Sequence, residues 1–210
     1  AWAHLAKLLA EGGKVNRADV ALQNAVRHES GDIAAIHDVI GSTYALLGEH
    51  SNADEWYRRA ARAEADNPAF RINYANNLIY IGDSVQAGEE LAVALALGRG
   101  NAQAHWLLSG LNRARDRAHI EEMQSLLASR TMPPQAQAFV HYALGKELED
   151  LEDWGNAFAA FDRGARARRS TLAYDEAGEA ATFDALGELY TSQWLAARPP
   201  GCDDESPIFI

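Results

Sequence analysis

The chain has 210 residues, 48% hydrophobic but only 9% aromatic, so any core must be built largely from small side chains packed closely. Its 30 acidic residues against 19 basic ones give a formal charge of −11, which argues against a nucleic-acid partner, since binding a phosphate backbone needs a basic surface. The single cysteine, Cys202, excludes an intrachain disulfide or a multi-cysteine metal site, and no apolar run approaches the roughly 18 residues of a membrane span. The length allows one or two compact domains, or a single longer solenoid.

In chain order, Trp2, Leu5 and Leu9 fall on one helical face, Gly12-Gly13 ends that helix, and Ala18, Leu22 and Ala25 supply the facing stripe of a second. The stretch His37 to Pro68 repeats the plan. Gly41 and Tyr44 mark a first helix, Gly48-Glu49 a turn, Ala53, Tyr57 and Ala60 a second helix, and Asn67-Pro68 the break before the next unit. In the third unit Pro68 opens a helix, Gly82-Asp83 turns it, and Ala87, Leu91 and Ala94 form the second stripe. A fourth unit is degenerate: Trp106, Leu107 and Leu111 mark its first helix, but Glu121 stands where alanine is expected. A short, less tightly docked helix over about 118–129 is predicted there, before the break at Pro133-Pro134. The fifth unit carries Leu144-Gly145, Leu148, Asp153, Ala157 and Phe161.

Two series set the period. Small residues of the first helices fall at Gly41, Ala75, Ser109 and Gly145, spaced by 34, 34 and 36; those of the second helices fall at Ala18, Ala53, Ala87 and Ala157, spaced by 35, 34 and 70. A small residue at each point lets two antiparallel helices approach closely. The pattern resembles the tetratricopeptide repeat (TPR), whose period is about 34 residues. The resemblance implies an all-α, right-handed superhelix of about five helix pairs plus a C-terminal capping helix. The expected repeat domain is 1–197, in units of about 1–32, 34–67, 68–101, 102–134 and 138–171 with a cap over 174–197. Residues 198–206 are expected to be a linker, and 207–210 the first strand of an absent C-terminal domain.

Arg163, Arg166, Arg168 and Arg169 end the fifth unit, either as a solvated helix end favoured by the helix dipole or as a contact for an acidic partner or a following domain. Phe183, Leu186, Leu189, Tyr190 and Trp194 have the spacing of one further helix, from about Tyr174 to Ala197. After Pro199-Pro200-Gly201 the chain reaches the apolar run Pro207-Ile208-Phe209-Ile210. This order, with Ala143-Leu144-Gly145-Lys146 to Asp162 before it, resembles bacterial proteins that join TPRs to a PAPS-dependent sulfotransferase domain. The resemblance implies a donor-binding loop following Ile210, so the PAPS cofactor is expected only of that absent domain and none in this chain. No catalytic residue of that family lies within the sequence.

No phosphate-binding loop, nucleophile elbow or zinc-protease motif is present. His4, His28, His37, His50, His105, His119 and His141 are dispersed along the units and read as surface or half-buried residues without metal-site spacing. Glu89-Glu90 and Glu121-Glu122 are adjacent on helices and diverge, which disfavours acid–base catalysis, and Cys202 reads as inert.

Binding is the better-supported chemistry. The TPR resemblance implies that the first helices line a concave groove, and its groove positions correspond here to Lys7, Asp38, Ser42, Asn73, Asn76, Tyr80, Trp106, Arg113, Tyr142 and Lys146. Asn73, Asn76 and Asn77 are poor helix formers, and asparagines can pair with a peptide backbone while Trp and Tyr give rigid contact area. The Lys/Asn/Arg clamp of chaperone-tail receptors is absent in both registers tested. The expected partner is a protein or peptide, with the chain's own C-terminal catalytic domain and a homo-oligomer left open; the expected location is cytoplasmic. A free-standing peptide-binding scaffold, or a module attached to a different enzyme, is the alternative.

Overall fold

The computed structural model describes residues 1–29, 31, 33–129 and 131–198; the proposed linker beyond Arg198 and the expected strand 207–210 lie outside them. Among the described residues there are α-helices and no strand. The chain divides into two compact units, Ala1–Thr171 and Leu172–Ile210.

The first unit holds α1 (Trp2–Glu11), α2 (Val15–Arg27), α3 (Ala34–Leu46), α4 (His50–Ala63), α5 (Pro68–Ile81), α6 (Ser84–Leu97), α7 (Ala102–Leu111), α8 (Ala118–Ser129), α9 (Pro134–Asp150) and α10 (Trp154–Arg169). Odd-numbered helices stack on one another, α1 on α3, α3 on α5 and α7 on α9, and four of the five pairs form tight hairpins. The exception is α8, which packs on α9 and only marginally on α7. This is a right-handed TPR superhelix of helix pairs.

Local chemistry sets the helix ends. Asn67 caps α5 by accepting from the Ala69 amide at 3.1 Å with Pro68 following, and Asp83 and Asn101 cap α6 and α7 in the same way. At Gly82 the chain turns with φ of 89°, and at Gly48 with φ of 79°, left-handed conformations that favour glycine.

The period-setting residues sit where helices of a pair meet. A Cβ at Gly41 would stand 3.1 Å from the Tyr57 ring, and one at Gly145 would stand 2.6 Å from the Phe161 ring. Ala75 and Ser109 are buried at the corresponding points. The core is divided into three clusters along the array, one over α1–α3, one over α4–α7 and one from the start of α7 to α10.

Four residues before each small residue lies a register position that carries Trp2, His37, Arg71, His105 and His141 before Ala6, Gly41, Ala75, Ser109 and Gly145. Three of its polar members, His37, Arg71 and His105, bond back to the preceding unit. Arg71 donates from Nε to the Ala65 carbonyl at 2.8 Å and from Nη1 to Glu90 at 2.6 Å. His105 donates from Nε2 to the Arg99 carbonyl at 2.8 Å, while His37 Nε2 meets Glu29 at 2.9 Å. Sequence periodicity places these residues; it does not reveal their partners.

In the second unit the single helix predicted over 174–197 is two, α11 (Glu176–Leu189) and α12 (Ser192–Ala196). The break falls at Tyr190-Thr191, because Thr191 adopts extended backbone and its hydroxyl accepts from the Trp194 amide at 3.1 Å, starting a new helix. Neither helix has a buried residue, and Phe183, Leu189 and Leu195 are exposed.

Candidate functional site

The predicted groove residues separate into two groups. Lys7 of α1, Ser42 of α3, and Asn76 and Tyr80 of α5 line one cavity of about 430 Å³, open to solvent. Its other walls are Glu11, Ala45, Leu46, His50, Tyr57 and Asn77. The four predicted residues converge because α1, α3 and α5 are stacked neighbours, so positions about 34 residues apart in sequence stand side by side.

Tyr80 projects into this space, 67% exposed, its ring stacked on His50 at 4.4 Å and 5°. His50 is itself held by Asn77. The Asn77 amide donates to the His50 carbonyl at 3.0 Å, which fixes its orientation, so its oxygen accepts from His50 Nδ1 at 3.0 Å. Asn77 is 2% exposed, so although it borders the cavity it acts as a structural bracket between α4 and α5 and offers a ligand almost no surface. The Tyr80 ring is thus positioned before any ligand arrives.

Asp38 of α3 and Asn73 of α5 do not line this cavity and pair with each other instead. Asn73 donates to Asp38 at 2.8 Å, and burial pushes the Asp38 carboxyl above the usual carboxylate range despite that bond and the nearby Lys7 charge. Ser42 spends its hydroxyl proton on the Val39 carbonyl at 3.0 Å and can only accept from a ligand. The Asn76 amide makes no hydrogen bond among the described residues, and burial raises the Tyr57 hydroxyl far above its ordinary pKa, keeping it a neutral donor.

The second group is placed differently. Trp106 is 40% exposed on α7 and leans on Phe139 of α9 at 5.3 Å. Arg113 lies beyond the end of α7, in the loop before α8, and reaches the Asp150 carbonyl at 3.3 Å. Lys146 donates to the Asn112 carbonyl at 2.5 Å and to Asp150 at 2.6 Å, and Asp150 also accepts from the Ala114 amide at 2.8 Å. These contacts hold the Asp150 carboxyl below its ordinary range although burial opposes them, and they strap the α7–α8 loop to α9. Tyr142 packs beside Phe161 and would meet a Cβ at Gly164, so it belongs to the α9–α10 seam. Arg113, Tyr142 and Lys146 are structural in this arrangement.

The predicted groove positions leave out six cavity residues, Glu11, Ala45, Leu46, His50, Tyr57 and Asn77. Glu11 and Leu46 stand four residues beyond Lys7 and Ser42 on the same helical faces, a signal the 3.6 period offers. His50 and Tyr57 come from α4, a second helix, for which the period gives no groove signal. Among the described residues no group of three or more His, Cys, Asp or Glu is placed to hold a metal ion, and no helix is long and apolar enough to cross a membrane.

No family model matches the sequence, and no curated protein matches it. Solved structures do. MamA residues 41 to the end from Desulfovibrio magneticus RS-1 matches with a TM-score of 0.58 at 19% identity, covering 80% of this chain and 94% of that one. YrrB, a TPR protein with an unusual peptide-binding site, matches at 0.54 and 16% identity over 80% of this chain and 85% of its own. Cut9 of the APC/C hetero-tetramer Cut9–Hcn1 matches at 0.59 and 17% identity, over 79% of this chain and 33% of that one. With three TPR proteins superposing on about four-fifths of its length, the chain carries the fold of the tetratricopeptide-repeat solenoid.

Proposed function

We propose that Ala1–Thr171 is a protein-interaction module that receives an extended peptide in the cavity between α1, α3 and α5. The observation that carries this is the unspent Asn76 amide beside an exposed Tyr80 ring held in place by His50. An asparagine amide offers donors and an acceptor to a peptide unit, and a ring already fixed loses little freedom on contact. The peptide-binding site of YrrB, which shares the fold, supports the same use here. A random peptide library screened against the chain, followed by Asn76→Ala and Tyr80→Ala, tests it. Each substitution is expected to weaken a selected peptide by roughly tenfold, the size of a lost anchor contact. Selected peptides that bind both variants unchanged would overturn it.

As the wider context we propose the recruiting arm of a PAPS-dependent sulfotransferase, where the groove orients a protein substrate for a catalytic domain beyond this chain. This rests on the sequence resemblance alone; a free-standing scaffold, or a module of another enzyme, is what it competes with. Calorimetry with PAPS on the full gene product and on the 210-residue chain separates them. Binding by the full product alone supports the sulfotransferase context, and binding by neither removes it while leaving the groove untouched. Cytoplasmic location, consistent with a single cysteine, and self-association belong to the same proposal.

A further inference from the structure

The degenerate fourth unit contains a buried line of titratable groups that the groove does not use. His105 of α7 is wholly buried. Its Nε2 faces the Arg99 carbonyl at 2.8 Å, its Nδ1 faces His119 Nε2 of α8 at 2.8 Å, and His119 Nδ1 faces Glu147 Oε1 of α9 at 2.6 Å. The two rings lie 5.0 Å apart. Glu122 of α8 adds a further carboxylate near His105, and α9 contributes Glu147, which is 5% exposed.

The contacts fix how many protons the line can hold. The Arg99 carbonyl only accepts, so His105 Nε2 carries one proton. One more lies between the two imidazoles and one between His119 and Glu147, wherever along each bond it rests. With three protons every contact is a hydrogen bond and the group is neutral as a whole. A fourth has no acceptor. On an imidazole it sets two N–H groups face to face; on Glu147 Oε2, buried without a partner, it leaves a donor unmet and the imidazolium without its counter-charge. Removing one proton instead leaves two lone pairs facing each other.

We propose that this line is a proton-counting latch, which holds α8 on α7 and α9 at one proton occupancy and releases it when acid adds another. The rest of the docking of α8 is slight. Only Ile120 and Met123 of α8 are buried, and the helix scarcely packs on α7 otherwise. Release would expose both side chains and loosen the loop containing Thr131 and Met132, which walls a cavity of about 500 Å³ beside the start of α7. At the same register position in α5 stands Arg71, whose guanidinium does not titrate, so unit three has no such release. Burial lowers the His105 pKa, as does the neighbouring His119, so the fourth proton enters below the usual histidine range and the neutral ring is the resting form.

Hydrogen exchange on the 210-residue chain at pH 7 and pH 5, corrected for intrinsic chemistry, reads the latch. Amides of α8 are expected to exchange faster by up to about tenfold per pH unit, the linkage limit for one proton, while those of α5 and α6 stay unchanged. An α8 indifferent to pH, or one that responds no more than α6, overturns the proposal. In His119→Ala, α8 should exchange fast at both pH values; a surviving pH response there also overturns it. Should that variant not fold, nitrogen NMR of the unaltered protein decides. His105 with a proton on Nε2 and a single proton shared between His105 Nδ1 and His119 Nε2 at pH 7 supports the latch, and both or neither of those two facing nitrogens protonated at pH 7 sinks it.

Discussion

Units three and four are built on one plan and differ in how much of it they keep. In α5–α6 the caps are complete, Leu91 and Ala94 of α6 are fully buried, and Arg71 crosses to Glu90 of α6 within the unit. In α7–α8 the second helix leaves its partner and leans on α9, and the link from α7 passes through two imidazoles. The difference shows that a repeat can lose its internal hairpin without breaking the stack, because α7 still packs on α9 as every first helix packs on the next.

The largest expected effect comes from truncating the same class of contact in both units. Leu91→Ala should cost about 2–5 kcal/mol in global unfolding, the range for an aliphatic core side chain in a site that cannot collapse. Met123→Ala removes a side chain just as buried, yet should show mainly as faster exchange confined to α8, with a smaller shift of the global transition. Equal losses in urea melts of the two variants would break the contrast between the units.

Close approach is the next test. Gly145→Ala places a methyl 2.6 Å from the Phe161 ring and should destabilise by about 1–3 kcal/mol. The same change at Gly41 meets Tyr57 at 3.1 Å and should cost less; thermal melts giving the reverse order would refute that. Asn77→Ala leaves the buried face of His50 unsatisfied and should lose about 1–3 kcal/mol, read by denaturant titration. It should also free the Tyr80 ring, so an unchanged peptide affinity in that variant would separate stability from groove order.

The smallest effect is at a cap. Asp83→Ala removes the acceptor for the Gln86 amide and should cost about 1 kcal/mol, seen as fraying of the first turn of α6.

What the sequence discloses follows from the range of the physics. Gly41, Ala75, Ser109 and Gly145 are legible because the requirement for a small residue recurs at a fixed spacing, and Asn67-Pro68 and Gly82-Asp83 because caps and turns are satisfied by neighbours. Lys7, Ser42, Asn76 and Tyr80 are legible as a group because stacking converts the period into adjacency. For Arg113 and Lys146 the sequence shows only part of the surroundings: the Lys146–Asp150 pair has the i, i+4 spacing of a helix, but the carbonyls of Asp150 and Asn112 that take Arg113 and Lys146 lie 37 and 34 residues away, where no local pattern announces them. The break at Thr191 is likewise hidden, because Phe183 to Trp194 keep helical spacing across it while a hydroxyl caps a new helix.

The division of the core into three clusters gives the array a mechanical character. Clusters joined in series share any pull applied to the two ends of Ala1–Thr171, and each seam carries the full tension. Lengthening should therefore proceed in steps, and the first to yield is where the least apolar surface is shared. In an optical trap the solenoid would behave as a spring that opens first at the boundaries between clusters, between α3 and α4 and within α7, before any one cluster unravels.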